Sequence, residues 1–171
     1  KKGNFVAGAD IDQFLEFKVA ADAARASAFG HAMFHRIEKG RVPVVVAVDG
    51  ACLGGGLEFA LACAYRIAAD SPKTVFALPE VKIGLIPDAG GTQRLPKRVG
   101  LQAALDMILT GKNVRAKKAL QIGLVDEMVH PSILRSIAIQ RAKELANGTI
   151  PRQRDNRTHG AKEILLDDNM L

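Results

Sequence analysis

Two glutamates stand where the chain is otherwise apolar or rich in glycine. Glu58 interrupts the run Leu57-Glu58-Phe59-Ala60-Leu61-Ala62-Cys63-Ala64, which reads as a nearly all-apolar buried helix and follows directly on Gly54-Gly55-Gly56. A carboxylate on such a helix is costly unless something pairs with it or uses it. Taken alone, Glu58 is a helix N-terminal carboxylate stabilised by the macrodipole. The three glycines widen that reading, because glycine lets a backbone approach a ligand closely and leaves its N–H groups unobstructed ahead of the helix's partial positive end. That combination can hold a developing oxyanion. A second small-residue turn, Ala7-Gly8-Ala9-Asp10, presents an N–H ahead of a helix in the same way, and an oxyanion site needs two converging donors. Glu80 follows Pro79 at the end of an apolar strand, just before a glycine-rich loop. By itself it is a surface turn carboxylate. Paired with Glu58 in a dry site, it could share a water, one carboxyl accepting its proton as the other donates to carbon.

The elements that must position these groups alternate. Gly3 to Ala7 reads as the end of a strand, followed by helices over Ile11 to Phe17 and Ala21 to Lys39. Pro43 introduces Val44-Val45-Val46-Ala47-Val48, a β-branched run typical of a strand buried on both faces, which ends at the turn Asp49-Gly50. Strands are expected over Tyr65 to Ala69, Thr74 to Leu78 and Leu124 to Val129. Helices are expected over Thr92 to Val99, Leu101 to Leu109, Ala116 to Ile122 and Ser132 to Ala146. Gly111 reads as a helix stop. The pattern is α/β, with residues 1–149 as one domain and 150–171 as a polar tail or the start of a linker.

Composition narrows the function classes. At 171 residues and 48% hydrophobic, the chain can bury one sizeable core. Its apolar runs are shorter than a membrane span, so a soluble, intracellular protein is expected. Cys52 and Cys63 lack zinc or disulfide spacing and read as core thiols. The net charge of +6 invites a polyanionic partner, but one Tyr, no Trp and scattered basic residues disfavour nucleic acid. His31 and His35 have an i, i+4 spacing that could seat a metal, but no third ligand accompanies them; they read as surface or interface histidines, and no metal is implied.

Four ordered segments carry a resemblance. They are Phe5-Val6-Ala7-Gly8-Ala9-Asp10-Ile11, Asp49-Gly50-Ala51-Cys52-Leu53-Gly54-Gly55-Gly56-Leu57-Glu58, Leu78-Pro79-Glu80-Val81 and Gly90-Gly91-Thr92-Gln93-Arg94-Leu95-Pro96. Together they resemble the crotonase (enoyl-CoA hydratase/isomerase) superfamily from about Gly3 to Ala146. Leu57, Pro72-Lys73-Thr74-Val75 and Leu124-Val125-Asp126-Glu127 look most like the hydratase portion of the multifunctional fatty-acid-oxidation α subunit.

The resemblance implies a spiral of ββα turns with C-terminal helices, missing an N-terminal stretch. It implies that the N–H groups of Ala9 and Gly55 polarise a thioester carbonyl while Glu58 and Glu80 hold and activate water. Glu80 would also give the proton to the α carbon. Ala7, Gly8, Asp10, Gly54, Gly56, Pro79 and Asp88 would line the acyl-CoA site. No metal or redox cofactor is required, coenzyme A being part of the substrate. The implied assembly is a homotrimer or larger, or an α subunit with a thiolase partner. Asp88 departs from the family pattern, which has glycine there. It reads as a helix N-cap before Ala89-Gly90-Gly91-Thr92 or as an extra base that adds weight to double-bond isomerisation. A non-catalytic RNA-binding relative is the rival from another class. Asp126 and Glu127 read as solvent charges at a strand end.

Overall fold

Parallel pairing between segments distant in sequence sets the architecture. In the computed structural model, which describes residues 4–8, 12 and 16–151, strands β1 (Asn4–Val6), β3 (Ala51–Leu53), β5 (Val75–Ala77) and β6 (Val114–Arg115) form one sheet. Strands β2 (Val45–Val48), β4 (Tyr65–Ala69) and β7 (Glu127–Val129) form a second. Within the first sheet β3 pairs in parallel with both β1 and β5, and β6 joins antiparallel; in the second sheet all pairing is parallel. From β2 to β5 the chain therefore alternates between sheets, with helix α2 (Gly55–Ala62) inserted after β3. This is the spiral of ββα turns that the motifs imply.

Strand β2 shows why its sequence is continuously apolar. Val46 and Val48 are buried in the main core with Cys52, Leu57, Leu61 and Phe76. Val45 and Ala47 face a separate apolar layer built on Ile67, Ala69 and Leu134, the last from helix α6 (Leu134–Ala146). Helix α1 (Ala20–Lys39) lies against α2. Helices α3 (Gly91–Val99), α4 (Leu101–Thr110) and α5 (Ala116–Gln121) complete the order. Gly111 ends α4 in the left-handed region at φ 59, as a helix stop should. Cys52 and Cys63 are free and buried, and burial pushes both thiols up, Cys63 to about 11. No helix among the described residues is long and apolar enough to cross a membrane.

Two expectations change. Ala51–Leu53, for which no element is expected, is a strand, and its neighbours Asn4 and Val75 are too remote for any local pattern to reveal. Asp126 and Glu127 are not solvent charges. Asp126 accepts from the buried Arg66 at 3.0 Å and is paired with Arg98, while Glu127 is bridged by Arg141 at 2.7 Å. The helix expected over Ile11 to Phe17 lies largely outside the described residues.

Gly56 has a packing role. A Cβ there would lie 2.4 Å from the carbonyl oxygen of Val6, so α2 reaches β1 only because no side chain intervenes. Gly56→Ala is expected to cost about 1–3 kcal/mol as backbone is forced apart. A urea midpoint unchanged from the parent would contradict that close approach.

Candidate active site

Adjacent parallel strands end on the same side of their sheet, which brings the two small-residue turns together. The turn after β1 and the turn after β3 are neighbours: a Cβ placed on Gly54 would sit 3.6 Å from Gly8 Cα, and one on Gly8 would sit 3.6 Å from the carbonyl oxygen of Leu53. Gly8 has φ 97 and Gly54 has φ 55 with ψ −130, conformations that a side chain would strain. Ala7 is exposed beside them. Ala9 and Asp10 lie outside the described residues. Gly54 is the N-cap of α2, and its carbonyl accepts from Leu57 and Glu58 at 2.8 and 3.0 Å. The N–H groups of Gly55 and Gly56 therefore precede the helical ladder. A Cβ on Gly55 would meet nothing within 4 Å, so this residue borders open space.

Both glutamates flank that turn. Glu58 is 1% exposed, and its Oε1 accepts from the backbone N–H of Ala89 at 2.9 Å and of Gly91 at 2.7 Å. A Cβ on Gly91 would come within 2.9 Å of that same oxygen, so glycine is what lets the amide close on it. Glu80 opens the 3-10 turn Glu80–Ile83, with Pro79 as its N-cap, and its Oε1 would lie 3.0 Å from a Cβ on Gly54. The backbone of Pro79 also packs against the end of α4, where a Cβ on Gly111 would lie 3.1 Å from Pro79 Cα. Glu80 Oε2 is buried without a hydrogen-bond partner among the described residues. A native fold seldom leaves such an oxygen unpaired without a use for it.

Burial raises both carboxyls. Burial pushes Glu58 up, while the Gly91 and Ala89 amides pull it back down, Asp88 raises it and His31 lowers it. Glu80 is raised to about 7, first by burial and then by the charges of Glu58 and Asp88. Their hydrogen bonding differs: Glu58 accepts two amides, which favour its ionised form, while Glu80 keeps one unpartnered oxygen, an arrangement that suits a proton acceptor beside a proton donor.

Asp88 is exposed and is not a helix cap. Helix α3 starts from Gly90, and the Asp88 carbonyl is taken by Ser27 Oγ at 2.8 Å. His31 and His35 lie on the exposed side of α1, and no cluster of three His, Cys, Asp or Glu side chains is assembled among the described residues. A groove of about 530 Å3 lined by Met33, Ile37 and Val42 lies near the C-terminal end of α1, and neither glutamate lines it.

The raised carboxyls have a consequence for stability. In the window between the ordinary 4.5 and about 7, the folded state holds a proton on Glu80 that the unfolded chain has released. Stability therefore falls as pH rises through that window and levels off above it; the upward shift of Glu58 acts in the same direction. Glu80→Gln should flatten this fall, measured as urea midpoints at pH 5 and pH 8. Parallel pH dependence in parent and variant would contradict it.

The sequence model of the Enoyl-CoA hydratase/isomerase family matches residues 1–159. The chain belongs to this family. Among family members, it is 56% identical over 142 residues to the fatty acid oxidation complex subunit alpha of Idiomarina loihiensis, covering 83% of this chain and 20% of that protein. The chain thus spans about a fifth of the length of the curated relatives it matches. Of solved structures, enoyl-CoA hydratase from Bacillus anthracis is 36% identical with a TM-score of 0.75, over 82% of this chain and 53% of that one. Pseudomonas aeruginosa DspI is 35% identical with a TM-score of 0.79, over 99% and 62%.

Both glutamates and the glycines that the sequence singles out are brought to one turn. Sequence reasoning missed Arg66, Ser27 and Glu38. Arg66 is fully buried at the C-terminal end of α2, where Nη1 donates to the carbonyls of Ala60 at 3.2 Å and Cys63 at 2.7 Å, and Nε donates to Leu124 at 3.1 Å. Burial lowers it to about 10, so it stays cationic at neutral pH against the negative end of the helix dipole. The available signal was one arginine in the apolar stretch Phe59 to Ala69.

Proposed function

We propose that the chain is the hydratase part of a fatty-acid-oxidation α subunit and adds water to 2-enoyl-CoA thioesters. The observation that carries this reading is the carboxyl pair: Glu58 fixed by two amides, and Glu80 poised near 7 with an unpartnered oxygen. In this reading the thioester carbonyl lies between the N–H groups of Ala9 and Gly55, which stabilise negative charge on oxygen as the enolate forms. Water, held between the two carboxyls, bonds through oxygen to C3 while Glu80 gives a proton to C2. The proton released by water returns to the carboxyl pair, so the pair carries one proton before and after the cycle. Proton transfer and charge stabilisation suffice, so no cofactor enters beyond the coenzyme A of the substrate. Ala7, Gly8, Asp10, Gly54, Gly56 and Pro79 border the thioester. A homotrimer or larger, or a complex with a thiolase, is the assembly proposed.

Asp88 favours a second reading. Its charge acts on both glutamates from an exposed position, which suits a site that moves a proton between carbons as well as adding water. The full-length protein should be given 2-enoyl-CoA and 3-enoyl-CoA separately. Loss of conjugated absorbance with the first supports hydration; gain of it with the second, reduced in Asp88→Asn, supports isomerisation. No change with either substrate overturns both readings.

A further inference from the structure

The amides of Ala89 and Gly91 can hold Glu58 only if the loop that carries them is itself held. Three successive peptide units are pinned there from outside. The first joins Asp88 and Ala89: its carbonyl accepts from Ser27 Oγ at 2.8 Å while its N–H donates to Glu58. The second joins Ala89 and Gly90, and its carbonyl accepts from Arg94 Nη1 at 3.0 Å. The third joins Gly90 and Gly91: its carbonyl accepts from Gln93 and Arg94 N–H in the first turn of α3, and its N–H donates to Glu58. A peptide unit is planar and trans, so fixing its carbonyl fixes the direction of its N–H.

Helix α1 supplies the other half of the grip. Glu38 Oε2 accepts from Arg94 Nε at 3.3 Å and Nη2 at 3.1 Å, with His35 at 4.0 Å from the same oxygen. Gly30 brings α1 so near that a Cβ on it would lie 3.3 Å from Ala89 Cβ, and Phe34 packs in one apolar cluster with Ala89. Ser27, Gly30, Phe34 and Glu38 recur at helical spacing and so share one face. Gly90, at φ 105, leaves the space that the guanidinium fills, since a Cβ there would lie 2.1 Å from Arg94 Nη1.

We propose that Ser27 and Arg94, with Glu38 bracing Arg94, are positioning residues that hold the Ala89 and Gly91 amides on the Glu58 carboxylate. Helix α1 thereby becomes part of the catalytic apparatus without touching substrate. The remaining charges acting at Glu58 are Asp88 on the loop and His31 on α1, with Glu80 coupled to it; none of the proposed substitutions alters them. Those two amides favour the ionised carboxylate. Loosening them makes Glu58 harder to ionise.

The proposal rests on the hydratase reading for its kinetic readout, but not for its titration readout. In the full-length protein, Arg94→Met should lower kcat by about ten- to a hundredfold through misplacement of the carboxylate, with KM changed less than about twofold. The acid limb of kcat should move to higher pH. Carbon-13 NMR titration of glutamate-labelled protein, with Glu58→Gln as the assignment control, should show Glu58 moving the same way without any substrate. Ser27→Ala and Glu38→Gln should shift it in that direction by less, and they decide the matter if Arg94→Met does not fold. A lowered melting temperature with an unmoved Glu58 titration overturns the proposal. An inactive parent with a shifted titration overturns the hydratase reading alone.

Discussion

Glu80→Gln lowers kcat for hydration of 2-enoyl-CoA by about a thousandfold, within the range of about 10²–10⁴ that a positioned general acid or base contributes. The amide keeps the size of the side chain but can neither give up nor recover a proton near neutral pH. Its effect falls on kcat rather than KM, because the thioester contacts proposed at the Ala9 and Gly55 amides are untouched. Parent and variant should therefore bind an acyl-CoA product with similar affinity, measured by calorimetry, while initial rates of absorbance loss diverge. The parent should also lose activity as pH rises above about 7, where Glu80 gives up the proton it donates. A variant that retains more than about a tenth of parental kcat would remove Glu80 from the chemistry.

Arg66→Met costs about 3 kcal/mol of stability, at the lower end of the range for breaking a buried ion pair. The carbonyls of Ala60, Cys63 and Leu124 and Asp126 Oδ2 each lose a guanidinium donor, while Asp126 Oδ2 keeps the backbone N–H of residue 66 at 2.9 Å. Asp126 keeps Arg98 as a partner, which limits the penalty. The Ala60 carbonyl still accepts from the Cys63 N–H at 3.2 Å, so the Cys63 and Leu124 carbonyls bear most of the loss. Arg141→Met is the contrast. Its pairs with Glu127 and Glu144 are part-buried, with side chains 22 to 24% exposed, so water screens them as it does not screen Arg66 and a loss of about 1 kcal/mol is expected. Urea denaturation of the two variants side by side checks the difference. Equal losses would mean that burial at Arg66 carries no special weight. Because α2 presents Gly55 at one end and is capped by Arg66 at the other, the Arg66 variant should also lose activity at temperatures where the parent is stable.

The sequence made legible those parts of the site that depend on local chemistry. Glycines that must bend or approach closely, a carboxylate inside an apolar helix, and a Pro-Glu pair at the end of a strand each carry their reason within a few residues. Helix α1, strand β2 and helix α4 with its Gly111 stop were readable for the same cause: apolar periodicity or a β-branched run, bounded by residues that end it. What escaped reading is non-local. Strand β3 is three residues long and exists because Asn4 and Val75 pair with it. Ser27 is 61 residues from the carbonyl it binds, and Glu38 is 56 residues from Arg94. Asp126 looked like a solvent charge because nothing near it in sequence indicates the buried guanidinium of Arg66. Asp88 resembled an N-cap by type and position, but the left-handed turn at Gly90 moves the cap two residues on.

In the proposed reaction two carboxyls act as one unit on one water. A double-mutant cycle over Glu58→Gln and Glu80→Gln, read as kcat on 2-enoyl-CoA, probes that coupling. Each single variant should be severely impaired and the double variant little worse than the weaker of the two, because removing either partner already disables the pair. Losses that simply multiply, or a single variant with near-parental turnover, would mean that the two glutamates do not share a reaction.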